Sequence, residues 1–236
     1  MRNLWLLFAL TCAAWAAPSD ILETSAGDLK ITPVTHGSVL LEINGQAWHI
    51  DPWSTGDYSA LPKADVILIT DIHGDHMDPK AIATVKKDST VIVAPAAVAK
   101  TVAQATVLAN GESTTISGVK IEAVPMYNLQ RGPEPGKLFH DKGRGNGYVL
   151  TVGDKRIYFS GDTEAVPEMK ALKDIDVAFV CMNLPYTMPP DEAAEGVKAF
   201  RPKVVYPYHY RGSDLAVFSN ALASEKGIEV RLRDWY

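Results

Sequence analysis

Apolar residues recur along the chain in short runs, which are separated by residues typical of turns. Leu29 to Thr35 partly alternates between apolar and polar positions, and Ser38 to Ile43 and Ala47 to Ile50 repeat that pattern. The dipeptide Asn44-Gly45 between the last two runs is a strong signal for a two-residue hairpin turn. The segment from Asp20 to Ile50 is therefore predicted to form a β meander.

One run ends in a dense group of chemically active side chains. Val66 to Thr70 is apolar and rich in β-branched residues, which predicts a buried strand. Asp78 is a good N-cap and Pro79 suits the first helical position, so a helix is expected to follow. Because α/β folds place their chemistry at the carboxyl ends of strands, a metal site is predicted here rather than a solvated polar turn. Four side chains between the strand and the helix bind metal ions when deprotonated: Asp71, His73, Asp75 and His76.

The remaining runs predict short helices that alternate with strands. Tyr127 to Gly147 is a long loop rich in Pro, Gly and charge, and such loops in a compact domain are usually functional or disordered. It carries His140 beside Phe139, which favours a functional loop. Helices are expected at Lys80 to Lys87, Ala96 to Ala105, Pro167 to Leu172, Pro190 to Phe200 and Ala216 to Ala223. Strands are expected at Thr90 to Ala94, Thr106 to Leu108, Ser113 to Ile116, Val119 to Val124, Tyr148 to Val152, Arg156 to Ser160, Ile175 to Cys181, Val204 to Tyr206 and Ile228 to Leu232.

The composition is that of a soluble globular protein. Of the 236 residues, 47% are hydrophobic and 22% are charged, and the formal net charge is -5. This length suits one α/β domain with a single core, which is expected to span residues 18–236. The acidic balance argues against nucleic acid as a partner, so a small-molecule substrate is expected.

The first 17 residues are predicted to be a cleaved export signal. Arg2 supplies a positive start, Leu4 to Trp15 an apolar core, and Ala14-Trp15-Ala16 a cleavage pattern of small residues. The apolar run is short for a transmembrane helix, so no stable membrane insertion is expected after cleavage. The protein is therefore expected to be periplasmic or secreted, with a lipoprotein anchor at Cys12 as the alternative. Once Cys12 is removed, Cys181 has no partner for an intrachain disulfide.

Residues that bind metals occur in four separate places: the Asp71 to His76 cluster, the loop with His140, Asp162, and His209. Over about Leu29 to Leu232, their order resembles that of the metallo-β-lactamase superfamily. The similarity is greatest to the branch that contains ascorbate-6-phosphate lactonase-like and other metal-dependent hydrolases. The resemblance implies a mixed α/β (α+β) fold, a four-layer αββα sandwich with two metals at one edge of the paired sheets. Its hallmarks in this chain are Thr35-His36-Gly37, Asp51-Pro52-Trp53, Asp71-x-His73-x-Asp75-His76, Gly161-Asp162-Thr163 and His209.

The resemblance also implies a ligand set for two divalent metal ions. A hydroxide bridging the two metals would be the nucleophile, since metal binding lowers the pKa of water from about 15.7 toward about 7. The same metals would polarise the scissile carbonyl or phosphoryl oxygen. Asp75 and Asp162 are the expected catalytic carboxylates. The first metal would take Asp71, His73 and His140, and the second would take Asp75, His76 and His209, with Asp162 bridging the two.

Two positions depart from the superfamily pattern. The superfamily usually has histidine where this chain has Asp71, and a carboxylate is a harder donor that could favour Mn or Fe over Zn. The related branch commonly has a histidine after its Val-Pro-x-x motif, but here Val124-Pro125-Met126-Tyr127 is followed by Asn128. His140 could fill that place from the long loop, since neutral imidazole is the commonest metal donor, or it could bind substrate. Asn128 is the other candidate for the open position.

Further residues carry both a functional and a structural interpretation. His36 and Asp51 are expected close to the metals, where they would orient ligands, although both also suit turns. Asn183 follows a strand end and could line the substrate cleft or simply form a turn. Lys142 and Arg144 could attract an anionic substrate or could be solvated loop residues.

Three functions remain open from the residues alone. The leading hypothesis is an exported metal-dependent hydrolase that cleaves an ester, lactone, amide or phosphoester. A β-lactamase in the narrow sense is a second hypothesis, which Asp71, His36 and Asp51 disfavour because they point to the other branch. The third is a metal-binding or scaffold protein that retains the fold with weak or no catalysis, which Asp71 and Asn128 favour.

Overall fold

The computed structural model describes residues 19–236, so the predicted export signal lies outside the described residues. Within this range, the strands form two seven-stranded sheets. The first sheet has its strands in chain order: β1 (Asp20–Leu22), β2 (Leu29–Thr35), β3 (Ser38–Ile43), β4 (Gln46–Ile50), β5 (Ala64–Leu68), β6 (Lys86–Ala94) and β7 (Thr106–Val107).

The second sheet repeats the plan of the first. In each sheet the first four strands pair antiparallel, and the fourth to seventh pair parallel. Parallel neighbours need crossover connections, which is why the helices of residues 19–236 lie between strands that pair in parallel. The strands of the second sheet are β8 (Ser113–Ile116), β9 (Val119–Met126), β10 (Gly145–Val152), β11 (Lys155–Phe159), β12 (Val177–Cys181), β13 (Val204–Tyr208) and β14 (Glu229–Val230).

Helices cover the outer faces of both sheets. Buried side chains of the first two helices pack on the first sheet, and Phe200 at the end of the fourth packs edge-to-face on Tyr158 of β11. None of the helices within residues 19–236 is long and apolar enough to cross a membrane. The helices are α1 (Pro79–Val85), α2 (Ala96–Ala99), α3 (Pro167–Lys170), α4 (Pro190–Phe200) and α5 (Leu215–Leu222).

Side-chain alternation along β5 assigns its two faces to two different cores. Val66 and Leu68 belong to the larger core, which they share with Phe159 of the second sheet. Ile67 and Ile69 point the other way and belong to the core beneath α1 and α2. The order helix, sheet, sheet, helix confirms the predicted four-layer αββα sandwich.

Most predicted elements are present, but some bounds differ. The helix predicted from Ala96 to Ala105 is wrong in length, because α2 ends at Ala99. The chain must return from there to pair Thr106 of β7 with Val93 of β6. The β-branched side chains at Thr101 and Val102 also weaken a longer helix. β6 begins four residues earlier than predicted, directly after α1.

Candidate metal centre

The predicted site residues meet at one edge of the paired sheets, where three strands end. Asp71 follows β5, Asp162 follows β11 and His209 follows β13. β5 belongs to the first sheet and the other two strands to the second, so both sheets contribute to the site. This is the edge at which α/β folds bind their ligands.

Asp71, His73 and His140 form one group, with ligand atoms within 4.8 Å of one another. His73 Nδ1 lies 2.9 Å and His140 Nε2 lies 3.8 Å from Asp71 Oδ2. Asp71 and His140 are buried, whereas the side chain of His73 is 45% exposed. The structure therefore brings together the trio predicted for the first metal.

His76, Asp162 and His209 form a second group, and all three are buried. Asp162 Oδ2 lies 3.4 Å from His76 Nε2, and Asp162 Oδ1 lies 3.2 Å from His209 Nε2. Oδ2 is also 3.3 Å from His140 Nε2 of the first group. Asp162 thus contacts both groups, which is the position that a bridging ligand requires.

Asp75 lies beside the second group and forms a third group of potential metal ligands with His36 and His209. Its Oδ2 is 3.1 Å from His36 Nε2 and 3.3 Å from His209 Nε2. His36 Nδ1 lies 2.5 Å from the hydroxyl of Tyr236, which itself accepts a hydrogen bond from the backbone N–H of Arg211. A neutral His36 with its proton on Nε2 satisfies every member of this chain. Burial lowers the pKa of His36 to about 4, which keeps the ring neutral at physiological pH.

Four buried atoms of the two groups have no hydrogen-bond partner within residues 19–236: His76 Nε2, His140 Nε2, His209 Nδ1 and Asp162 Oδ1. A buried polar atom without a partner costs free energy, so each such atom needs an explanation. The second ring nitrogens of His76 and His140 have partners: His76 Nδ1 lies 2.8 Å from Asp51, and His140 Nδ1 lies 2.7 Å from Asn128. Partners of this kind orient metal-bound histidines and direct the free Nε2 lone pair at the metal. The residues therefore fit divalent cations at this position.

Three residues at the centre have strained backbone conformations. His36, Asp51 and His209 adopt left-handed conformations, with φ angles of 50°, 43° and 49°. Each such conformation costs a non-glycine residue about 1–3 kcal/mol, and they cluster at functional sites. Gly37 permits the close packing, because a Cβ there would lie 3.2 Å from the His209 ring.

The sequence profile of the beta-lactamase superfamily domain matches residues 30–209. The chain belongs to the metallo-β-lactamase superfamily. It is 31% identical over 223 residues to a UPF0173 metal-dependent hydrolase of Pelotomaculum thermopropionicum, an alignment that covers 86% of this chain and 96% of that one.

Solved structures of the superfamily share the architecture. A crystal structure from Parabacteroides distasonis, described provisionally as a metal-dependent hydrolase, aligns with a TM-score of 0.88 and 44% identity, over 93% of this chain and all of that one. A metallo hydrolase of Ignicoccus hospitalis has the same fold, with a TM-score of 0.73 and 24% identity, over 86% of this chain and 94% of that one. By sequence and by fold, this chain therefore belongs with the metal-dependent hydrolases of the metallo-β-lactamase superfamily.

Asn128, at the position where the superfamily branch commonly has histidine, orients His140. Its Oδ1 accepts hydrogen bonds from the backbone N–H and from Nδ1 of His140, at 2.8 Å and 2.7 Å. Its Nδ2 donates to Glu164 and to the carbonyl of Tyr186. With its amide fully used, Asn128 has no lone pair left for a metal. Sequence reasoning treated it as a competitor of His140, whereas the structure makes it the support of His140.

Arg144 forms a paired hydrogen bond with Asp71, a contact that sequence reasoning missed. Arg144 Nε is 3.1 Å from Oδ1 and Nη2 is 2.9 Å from Oδ2 of Asp71, a geometry that adds both strength and direction. The guanidinium offsets the negative charge that Asp71 adds relative to histidine. Lys142 instead pairs with Glu168, away from the cleft. Lys142 and Arg144 are thus both paired with carboxylates, and neither lines the cleft, where one interpretation of the sequence had them attract an anionic substrate.

Charges around the centre keep its carboxylates ionised. Burial alone would raise the pKa of Asp71, but a hydrogen bond from His73 and nearby positive charges, including Arg144, lower it to about 2. Burial also opposes ionisation of Asp75, but hydrogen bonds from His209 and His36 hold its pKa well below the usual range. Ionised carboxylates are the form that binds cations.

A cleft of about 820 Å³ opens over the two groups. Asn183 lines it, as one of its two sequence interpretations proposed. Arg211 also lines it, and sequence reasoning missed this residue. The sequence did offer one signal for it: Arg211 lies two residues after His209, on the loop that follows β13. The rest of the lining outside the two groups consists of His36, Trp53, Gly74, Asp75, Phe139, Leu184, Pro185 and Tyr186.

Proposed function

We propose that this protein is an exported hydrolase that uses two divalent metal ions to cleave an ester, lactone, amide or phosphoester. The observation that carries the proposal is the convergence of His76 Nε2, His140 Nε2 and Asp162 Oδ1, buried and without hydrogen-bond partners among the described residues. Of the three groups of ligand-type atoms, the first and second meet at one carboxylate, Asp162, an arrangement that suits two cations better than one. Asp71 adds a hard oxygen donor, which suits Mn or Fe as well as Zn.

Bound metal ions would supply Lewis acidity there, lowering the pKa of water and polarising the scissile bond. The protein's own residues arrange the reaction around that chemistry. Asp162 holds the two clusters at a fixed separation through its contacts with His76, His140 and His209. Asp75, ionised and fixed by His36, presents its carboxylate to the cleft, where it can accept a hydrogen bond from water. The buried positions of these groups exclude bulk solvent from one side of the centre.

Metal content tests the number of cations. The purified chain, reconstituted with Mn, Zn or Fe, should bind about two equivalents by elemental analysis. Asp71→Ala should retain about one, because it removes a ligand of the first group only. Asp154→Ala removes an exposed carboxylate that bonds the backbone of Ser25, and should leave the metal content unchanged.

Turnover tests the reaction class. Chromogenic esters, lactones, amides and phosphodiesters should reveal hydrolysis that chelation abolishes and metal restores. Asp75→Ala and His209→Ala should each lower kcat by at least about 100-fold, the scale expected for groups that organise the transition state. A metal-loaded protein that matches both variants on every substrate class would refute a hydrolase.

A scaffold without catalysis is the second candidate, and the Arg144 contact favours it. A guanidinium can stabilise Asp71 in place of a metal, so the first group could persist without a cation. Reconstituted protein with well under one equivalent of metal, and no turnover, would support the scaffold.

Export is supported by the sequence of the first 17 residues. Cell fractionation of the full chain should place it outside the cytoplasm, shortened near Ala16 or Ala17. Replacing Leu6 and Leu7 by Asp, which interrupts the apolar core of the signal, should retain the full-length chain in the cytoplasm.

A further inference from the structure

Part of the cleft lining is apolar and extends beyond the metal centre. Leu184 and Tyr186 are about half exposed, at 49% and 47%, although large apolar side chains are normally covered. Phe139 packs edge-to-face on Tyr186, with ring centroids 5.1 Å apart. Phe139, Leu184 and Pro185 also line a second recess of about 350 Å³. The apolar surface therefore continues from the centre into a neighbouring groove.

Among the described residues that line the main cleft, Arg211 is the only lysine or arginine. Among the described residues, no carboxylate lies within ion-pair distance of its guanidinium, although Asp75 and Asp162 line the same cleft. Arg144 and Arg131, by contrast, are each paired with buried carboxylates. An exposed guanidinium that is paired with no carboxylate is available to an anion from outside the chain.

Aromatic rings hold this guanidinium in place. Its carbon lies 5.6 Å from the centroid of Trp53 and 5.4 Å from that of Tyr236. Such contacts restrict the side chain before a ligand arrives, which reduces the entropy lost on binding. The backbone N–H of Arg211 is fixed as well, by the Tyr236 hydroxyl at 2.9 Å. Arg211 is therefore a partly preorganised donor at the edge of the cleft.

We propose that Arg211 binds an oxyanion of an amphipathic substrate, a carboxylate or a phosphate, whose apolar part packs on Phe139, Leu184 and Tyr186. The inference rests on the proposed function, because it takes the cleft as the substrate site. An anionic group on Arg211 and an apolar group on this wall would keep the intervening bond in the cleft that Asp75 and Asp162 also line. Substrates with both features should be preferred to neutral ones of the same size.

Calorimetric titration of the metal-loaded protein tests this without requiring turnover. The probes are 4-phenylbutanoate, 3-phenylpropyl phosphate and the neutral 4-phenylbutanamide. The anions should bind about 10- to 100-fold more tightly than the amide, the range of one charge-assisted hydrogen-bonded pair. Arg211→Met should erase the preference, and Arg211→Lys should retain part of it. The larger effect of Arg211→Met on the carboxylate or on the phosphate identifies the natural anion class.

Lys100→Met is the matched control, because it removes an exposed charge beside α2 and should leave the preference intact. A preference that survives Arg211→Met would mean that the metals bind the anion, and would overturn the inference. Equal binding of anions and amide by the unaltered protein would overturn it too. A protein with no turnover but with Arg211-dependent binding would refute the hydrolase and not the anion site.

Discussion

At the scale of single residues, the centre depends on contacts that fix which ring nitrogen faces inward. Asn128 can accept only from a protonated Nδ1 of His140, so Nε2 carries the lone pair. Asp51 acts in the same way on His76. The residue type at position 128 suggested an open ligand position, whereas its side chain orients the proposed ligand His140.

Asn128→Ala should weaken the first metal site by about 10- to 100-fold, the usual effect of removing a group that orients a ligand. The reason is that His140 loses both contacts that fix its ring and its backbone. Metal titration monitored by elemental analysis measures the loss. Asn220→Ala, which removes an exposed amide on α5, serves as the control. Unchanged affinity of both sites in Asn128→Ala would show that His140 needs no support.

At the scale of elements, the strand–loop–helix unit of β5 and α1 places four of the seven proposed ligands. Asp78 Oδ1 accepts hydrogen bonds from the backbone N–H groups of Lys80 and Ala81, which caps α1. Its Oδ2 accepts from the backbone of Ser54, which ties the loop after β4 to the start of the helix. A single side chain therefore fixes two segments that border the metal centre.

Asp78→Ala should lower the free energy of unfolding by about 1–2 kcal/mol, the upper part of the range for losing an N-cap, because it also releases Ser54. Urea unfolding of the metal-free protein measures the change. Asp214→Ala removes the single N-cap bond of α5 and should cost less, about 0.5–1 kcal/mol. Equal losses in the two variants would show that the Ser54 contact contributes nothing.

At the scale of the whole molecule, Asp20 and Arg233 join the edges of the two sheets. Asp20, at the start of β1, accepts two hydrogen bonds from Arg233 and one from the hydroxyl of Tyr206 on β13. Burial alone would raise the pKa of Asp20, but these hydrogen bonds and the charges of Arg233 and Arg231 lower it below the ordinary value. The carboxylate is therefore more stable in the folded protein than in the unfolded chain.

This shift makes stability depend on pH in a defined direction. A group whose pKa is lowered by folding stabilises the protein above its unfolded pKa, about 3.9, and that contribution is lost as pH falls through the folded pKa. Asp20→Asn should therefore destabilise the protein by up to about 1 kcal/mol near pH 6, the scale of a partly exposed pair. The difference from the unaltered protein should shrink toward about pH 3. Urea unfolding at both pH values measures it, and a difference that grows in acid would contradict the assignment.

The sequence alone determined most elements of the fold and the identity of the proposed ligands. β2 and β3 have the bounds that alternation predicts, and the Asn44-Gly45 turn has the positive φ angles that its residues favour. These features are local: they depend on the period of side chains along a strand and on the backbone preferences of single residues. Ligand identity follows from side-chain chemistry, which is equally readable from the chain.

Only the tertiary structure decided which residues support the ligands. The contacts of Asn128 with His140, Arg144 with Asp71, and Tyr236 with His36 join residues 12, 73 and 200 positions apart. No period along the chain relates such pairs, because their proximity results from how the two sheets and their loops pack. For the same reason α2 is shorter than its alanine content predicts, and Arg211 lies beside Trp53 at the edge of the cleft. Donor chemistry is a property of each side chain, whereas the contacts that orient a donor arise only when distant segments are brought together.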